Sequence, residues 1–454
     1  MFSLNWKGCC ISKKPFRHTE RIIFFIKMFD FNKNTYLNKH RNPQDRCKKR
    51  KFFLITIIIT VFLIFFISGK DKFKKKNENK KKNFLIPSEN IKKLLKKIPE
   101  KDFTKKYFTV PYKKETLVIH TTINKKLQSY IESEINNSLN KGDGAPELIG
   151  FAVMDPFSGE ILGLKGYDSL KKNPCTRELY PSASLFKIIT AAAAIETKGY
   201  KPDKKMWFNG GKYTLYRRQL SLKKNKYTNY IRFKDAFAQS VNPVFGKLGY
   251  YDLRKEKLTL FSSKFRFNHK HDSDIFIQPS IIKIDGNKYH WAEAACGFNN
   301  STKITILHAA MINTAVVNKG LISKPYLLKK VVDDKKNIRY EHKKNLFLSA
   351  IKESTAMDIS KMMQRTITRG TAKNSFKSSL KVRIMKNLLI GGKTGSLFNI
   401  SNTVKYDWFS GFAIDKTTGK GITIAIIVGH GKYLGTRAAT YARRLISNYF
   451  NNLS

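Results

Sequence analysis

The chain is short of acidic side chains, short of cysteine and nearly without long apolar runs. Its 33 aspartates and glutamates face 87 lysines and arginines, a formal net charge of +54 over 454 residues. The lysines are spread along the whole chain. A nucleic-acid binder concentrates its charge on one face or motif, and none is visible, so no nucleic-acid partner is expected. Lys, Asn, Ile, Phe and Tyr are all abundant, as AT-rich codons would supply them. Such a chain adheres to anionic lipid and anionic polymer. The cysteines are Cys9, Cys10, Cys47, Cys175 and Cys296. The absence of C-x-x-C argues against a zinc or redox pair. Cys175 and Cys296 pair only if the fold brings them together. No H-E-x-x-H is present either. His269-Lys270-His271-Asp272-Ser273-Asp274 gathers ligand types, but H-x-H-x-D-H would need histidine at 274, and the segment reads as a solvated loop.

One apolar run is long. Phe52 to Ser68 holds about 17 uncharged residues, just enough to span a hydrocarbon core as a helix. Lys48-Lys49-Arg50-Lys51 precedes it, and Lys70, Asp71 and Lys72 follow. Both flanks are basic, so charge orients it weakly. The preceding arm, about 50 residues, is too long for a signal-peptide n-region, and no small-x-small cleavage site follows. The expected organisation is a basic cytoplasmic arm (1–51), a transmembrane anchor (52–69), a lysine-rich juxtamembrane stalk (70–115) with one short helix near Ile91 to Ile98, and a folded domain (116–454). Within that domain, Leu127, Ile131, Ile135 and Leu139 mark a helix stripe. Phe151 to Met154 and Ile161 to Leu164 flank a tight turn through Asp155-Pro156 and Gly159. Helical texture fills Leu185 to about Val317. Strands return at Leu388 to Ile390, Trp408 to Phe412 and Ile422 to Val428, before a last helix from about Arg437 to Tyr449. This is an α+β arrangement, with a sheet of N- and C-terminal strands and helices inserted between.

Three short clusters carry the chemistry. Ser184-Leu185-Phe186-Lys187 reads S-x-x-K, Ser240-Val241-Asn242 reads S-x-N, and Lys393-Thr394-Gly395 is followed by Ser396. Each alone has an ordinary explanation: a helix N-cap, a capping pair, a surface turn. Gly391-Gly392-Lys393-Thr394 is no phosphate loop, because position 387 is Asn387. The alanine run after Ser184 favours a helix. Ser184 then sits at its start, with Lys187 one turn on. A serine hydroxyl is a poor nucleophile until a base takes its proton. Lysine can be that base only when neutral, and burial or a neighbouring cation such as Lys393 lowers its pKa. Ser240 between two lysines can relay a proton to a leaving amine, and Asn242 can hold a substrate amide. Lys393 and Thr394 can grip a carboxylate. Gly395 lets a substrate backbone approach closely.

In this order the three clusters resemble the penicillin-binding proteins and serine β-lactamases. The likeness covers about residues 116 to 450. It includes Val153-Met154-Asp155 with Ser158-Gly159-Glu160-Ile161, then Ala295-Cys296-Gly297, Ile304-Thr305-Ile306-Leu307, Asn318-Lys319-Gly320, Gly370-Thr371-Ala372 and Trp408-Phe409-Ser410-Gly411-Phe412. It implies a serine β-lactamase/transpeptidase-like fold, an acyl-enzyme on Ser184, and an oxyanion hole from the backbone N–H groups of Ser184 and Ser396. It implies peptidoglycan stem peptides ending in D-Ala-D-Ala as donor and β-lactams as covalent inhibitors, with no cofactor and no metal. The chain departs from the family in two ways. The 45 or so residues between anchor and domain leave no room for a glycosyltransferase domain or a large pedestal, so any glycosyltransferase is a separate partner. Serine and alanine also precede Ser184 where the family often has glycine. A DD-transpeptidase, a DD-carboxypeptidase, a β-lactamase or β-lactam sensor, and a non-catalytic scaffold are the competing readings. The lactamase reading is weakened because Glu256-Lys257-Leu258-Thr259-Leu260 is a poor match to E-x-x-L-N.

Overall fold

The computed structural model describes residues 85–95, 103–170, 174–343 and 347–452, together with Thr56, Ile59 and Thr60. The N-terminal arm and most of Phe52–Ser68 lie outside the described residues. Among the described residues no helix is long and apolar enough to cross a membrane. The chain divides into two units, Met1–Asn83 and Phe84–Ser454. In the first, the three described residues are helical, and Thr60 Oγ1 donates to the Thr56 carbonyl at 2.6 Å.

The second unit begins earlier than the sequence suggests. Part of the expected stalk is folded into it. Helix α1 (Ser88–Leu95) buries Ile91 and Leu95. Strand β1 (Tyr107–Tyr112) pairs antiparallel with β2 (Glu115–Thr121). The lysines of this stretch hide an alternation: Phe108 and Val110 are buried, and the residues beside them are exposed, as a half-buried strand requires. Helix α2 (Lys125–Leu139) follows, capped by Asn124, whose side chain accepts from Leu127 N.

The framework is a five-stranded antiparallel sheet. Strands β3 (Leu148–Met154) and β4 (Ile161–Asp168) form its opening hairpin. The helical region comes next: α3 (Lys187–Lys198), α4 (Phe233–Ala238), α5 (Asn242–Lys247), α6 (Arg254–Lys264), α7 (Lys288–Cys296) and α8 (Ile306–Val317). Strands β5 (Leu328–Val332) and β6 (Ile338–Glu341) then join β1 and β2 in the order β1-β2-β5-β6. The long helix α9 (Glu353–Arg369) leads to β7 (Leu388–Phe398), β8 (Lys405–Asp415) and β9 (Gly421–His430), and α10 (Ala438–Asn451) closes the fold. The order in the main sheet is β7-β8-β9-β3-β4.

Both faces of this sheet are covered. Every residue of β9 is buried, so the strand reads as a continuous apolar run instead of an alternating one. Ala425 and Ile427 face the core that holds α3 and α8. Ile422, Ile424, Ile426 and Val428 face the core shared with α2 and α10. The result is a mixed α/β fold in three layers, with β7 at one edge of the sheet, packed against α9 and the turn that leads into α3.

Candidate active site

Ser184 lies in a 3₁₀ turn, Ala183–Phe186, that runs directly into α3. The stretch before it is pinned from two sides. Trp408 of β8 donates its Nε1–H to the Pro181 carbonyl at 2.9 Å, and Ser182 N donates to Thr302 O at 2.9 Å. The turn opens at Ala183 with φ 45°, and Gly297 fits beneath it. Gly297 follows the last residue of α7 with φ 68°, a left-handed conformation that glycine adopts without steric cost. A Cβ there would lie 1.8 Å from the Ala183 carbonyl oxygen.

Lys187 stands one turn from the nucleophile and is fully buried. Its Nζ reaches Ser184 Oγ at 2.6 Å, Asn242 Oδ1 at 2.7 Å, the Cys296 carbonyl at 2.8 Å and Ser240 Oγ at 3.3 Å. Asn242 Oδ1 and Cys296 O can only accept. A neutral amine has two protons to give, and these two oxygens take both. Its lone pair is then left for the Ser184 hydroxyl. Burial pushes the Lys187 pKa down to about 8, so the neutral form is accessible near neutral pH.

Ser240 joins α4 to α5 with φ 57° and is nearly buried. It accepts from Lys393 Nζ at 3.0 Å and faces Lys187 on its other side. Lys393 comes from β7, is fully buried, and also donates to Thr394 O at 2.8 Å. Its pKa is lowered too, first by burial and then by the charge on Lys187. Four predicted residues, Ser184, Lys187, Ser240 and Lys393, therefore meet in one hydrogen-bonded cluster. Asn242 joins them, but differently from expectation: Oδ1 accepts from Lys187, and Nδ2 donates to Tyr213 O at 2.9 Å. Both ends of the amide hold the protein itself.

The remaining predicted positions follow along β7. Gly395 sits against the nucleophile turn, where a Cβ would come within 3.1 Å of both Ala183 Cβ and Ser184 N. Thr394 is half-buried and bonds Thr371 Oγ1 at 2.5 Å. Ser396 is exposed, and its hydroxyl donates to Asp407 Oδ1 across the strand pair at 3.2 Å. Asp407 is itself gripped by Arg437 (2.7 and 2.8 Å) and by Ala438 N (2.8 Å). Burial favours its neutral form, yet nearby His430 and the bonds from Arg437 and Ala438 N outweigh this and hold its pKa at about 2.

Three contributors were not assigned to the site from sequence. The Cys296 and Tyr213 carbonyls are backbone atoms and carry no side-chain signature. Thr371, within the Gly370-Thr371-Ala372 stretch that carried part of the resemblance, is brought to Thr394 only by tertiary packing. The histidine-rich segment is a loop with Lys270 and Asp272 exposed, but it is tied down. Asp274 accepts from Leu327 N and Leu328 N, fastening the segment to β5. Asp272 bonds Lys324 at 2.9 Å and Lys92 at 3.3 Å, and the buried His271 ring lies 4.6 Å from that of His308. Cys175 and Cys296 are both buried and no disulfide joins them.

Residues 149–447 match the family model for the penicillin binding protein transpeptidase domain. Stage V sporulation protein D of Bacillus subtilis is 27% identical over 302 residues, which are 62% of this chain and 44% of that protein. The match thus spans less than half of that relative's length. Among solved structures, the D,D-transpeptidase domain of a peptidoglycan glycosyltransferase from Eggerthella lenta superposes with a TM-score of 0.60 at 21% identity, over 74% of this chain and 83% of that one. Penicillin-binding protein A from M. tuberculosis, solved as an imipenem acyl-enzyme complex, gives 0.59 at 18% identity, over 73% and 79%. The chain belongs to the penicillin-binding protein transpeptidase family.

Proposed function

We propose that this protein is a membrane-anchored, penicillin-sensitive DD-transpeptidase that cross-links peptidoglycan stem peptides through an acyl-enzyme on Ser184. The observation that carries the reading is the 2.6 Å contact between Lys187 Nζ and Ser184 Oγ, made by a buried amine whose two other close partners are obligate acceptors. Ser184 Oγ gives its proton to Lys187 and attacks the carbonyl of the penultimate D-alanine. The backbone N–H groups of Ser184 and Ser396 stabilise the resulting oxyanion. The C–N bond breaks as the departing D-alanine takes a proton through Ser240. An amine of a neighbouring stem peptide then attacks the ester and gives its proton to Ser240, which passes its own to Lys187; Lys187 reprotonates Ser184 as the ester C–O bond breaks, leaving a new amide bond. Lys393 holds Ser240 in place by its hydrogen bond, and Thr394 and Ser396 face the donor's terminal carboxylate. The apolar segment at 52–69 is the anchor, and the domain acts on the outer side of the cytoplasmic membrane. A separate glycosyltransferase supplies the glycan strands.

The test is retention of labelled penicillin by the full chain on denaturing gels. Wild type retains the label and Ser184→Ala does not; equal labelling of the two rejects the mechanism. The lifetime of the adduct separates this reading from a β-lactamase. The partners of Ser184, Lys187, Ser240 and Lys393 include no carboxylate. Glu256 is exposed on α6. With no such base beside the ester to activate water, the adduct is expected to persist.

A further inference from the structure

On the Ser240 side of the catalytic cluster lies an open cleft of about 780 Å³. Cations from three separate elements converge on it. Lys205 and Arg232 sit directly opposite each other on the hairpin Lys205–Asn209/Thr228–Arg232. Arg365 and Arg369 come from the last turns of α9, and Lys373 follows it. Like charges directly opposed on paired strands are unfavourable, and basic residues at a helix C-terminus only answer the helix dipole. Neither feature explains the convergence of both groups on one space.

Two carboxylates neutralise part of this charge. Asp203 bonds Arg232 at 2.5 Å, and Asp235 bonds Arg365 at 2.6 Å. Lys205, Arg369 and Lys373 have no acidic partner among the described residues. The cleft is also continuous with the catalytic loop. Gln239 lines it and immediately precedes Ser240. Thr371, two residues beyond Arg369, donates its N–H to Ala238 O at 3.1 Å and bonds Thr394.

We propose that this cleft is a carboxylate-binding subsite for the acceptor peptide, resting on the transpeptidase reading above. In that reading the attacking amine delivers its proton to Ser240. The body of the peptide then lies on the Ser240 side, across Gln239, and its carboxylate falls among the three unpaired cations. A guanidinium or ammonium bonds a carboxylate more strongly than it bonds a neutral amide.

The test measures binding, not turnover. A fluorescein-labelled tripeptide with a free side-chain amine is prepared with a C-terminal carboxylate and, separately, with a carboxamide. Fluorescence anisotropy with the full chain should show the carboxylate form binding about tenfold tighter, the worth of one charge-assisted hydrogen bond. The double variant Arg369→Glu with Lys373→Glu should lose that preference while its penicillin labelling stays at the wild-type rate. Should the double variant fail to label, Lys205→Gln is measured instead and should lower the preference at least threefold. Equal binding of the two peptides by wild type, or a preference that survives in a variant that still labels, overturns the proposal. If wild-type protein prefers the carboxylate but is never labelled by penicillin, the subsite stands and the transpeptidase reading falls.

Discussion

Lys187 must be rid of its proton before Ser184 can react, and the pH dependence of acylation follows from that. With the folded pKa at about 8 against an ordinary value of 10.5, the rate of penicillin labelling should climb as pH rises toward 8 and level off above it. Lys187→Ala should label about 10³-fold more slowly, within the range that a general base supplies. The same shift acts on stability. Between pH 8 and 10.5 the unfolded chain holds a proton that the folded one has released, so stability rises with pH across that window; thermal melts at pH 8 and pH 10 would show the sign, and a flat or inverted trend would count against a buried, proton-poor lysine. At this scale the sequence was informative. Ser184, Lys187, Ser240 and Lys393 were legible because side-chain chemistry at fixed spacing survives translation into one dimension. That Asn242 also ties Lys187 to the Tyr213 carbonyl was not legible, because that carbonyl looks like any other peptide oxygen.

Among the elements, two glycines in nearly the same conformation make a controlled comparison. Gly199 ends α3 with φ 63° and has open space where a Cβ would go. Gly297 ends α7 with φ 68° and has the Ala183 carbonyl there. Alanine at position 199 meets only the backbone cost of the left-handed region, about 1 kcal/mol, and labelling should be unaffected. Alanine at position 297 must also push the nucleophile turn away, so labelling should collapse and the melting temperature fall further. Equal effects at the two positions would show that α7 does not set the serine. Helix and strand textures were readable where one pattern dominated, the four-residue stripe along α2 and the continuous apolar run along β9. The segment from 84 to 115 was legible only in its short helix, expected near Ile91 to Ile98 and found at Ser88–Leu95. Its lysines swamp the alternation that buries Phe108 and Val110, and β1, which pairs with β2 alone, has little signal of its own.

For the whole molecule, charge and topology make separate statements. A net charge of +54 should bind the full chain to vesicles rich in anionic lipid but not to zwitterionic ones. That binding should weaken steeply between about 0.05 and 0.5 M salt, roughly the span over which the Debye length falls well below 10 Å; sedimentation with vesicles measures it, and salt-insensitive binding would point to the apolar segment alone. The α+β architecture was legible from the order of textures. The partnership of β9 with β3 was not, because residues hundreds of positions apart leave no local trace of having met. That partnership has a consequence for the chain as it is made. The serine emerges from the ribosome some two hundred residues ahead of the second lysine, and the opening hairpin waits for the last strand, β9, to complete its sheet. The half-made polypeptide carries its nucleophile without the means to use it, and becomes reactive only once Lys393 and β9 have followed it.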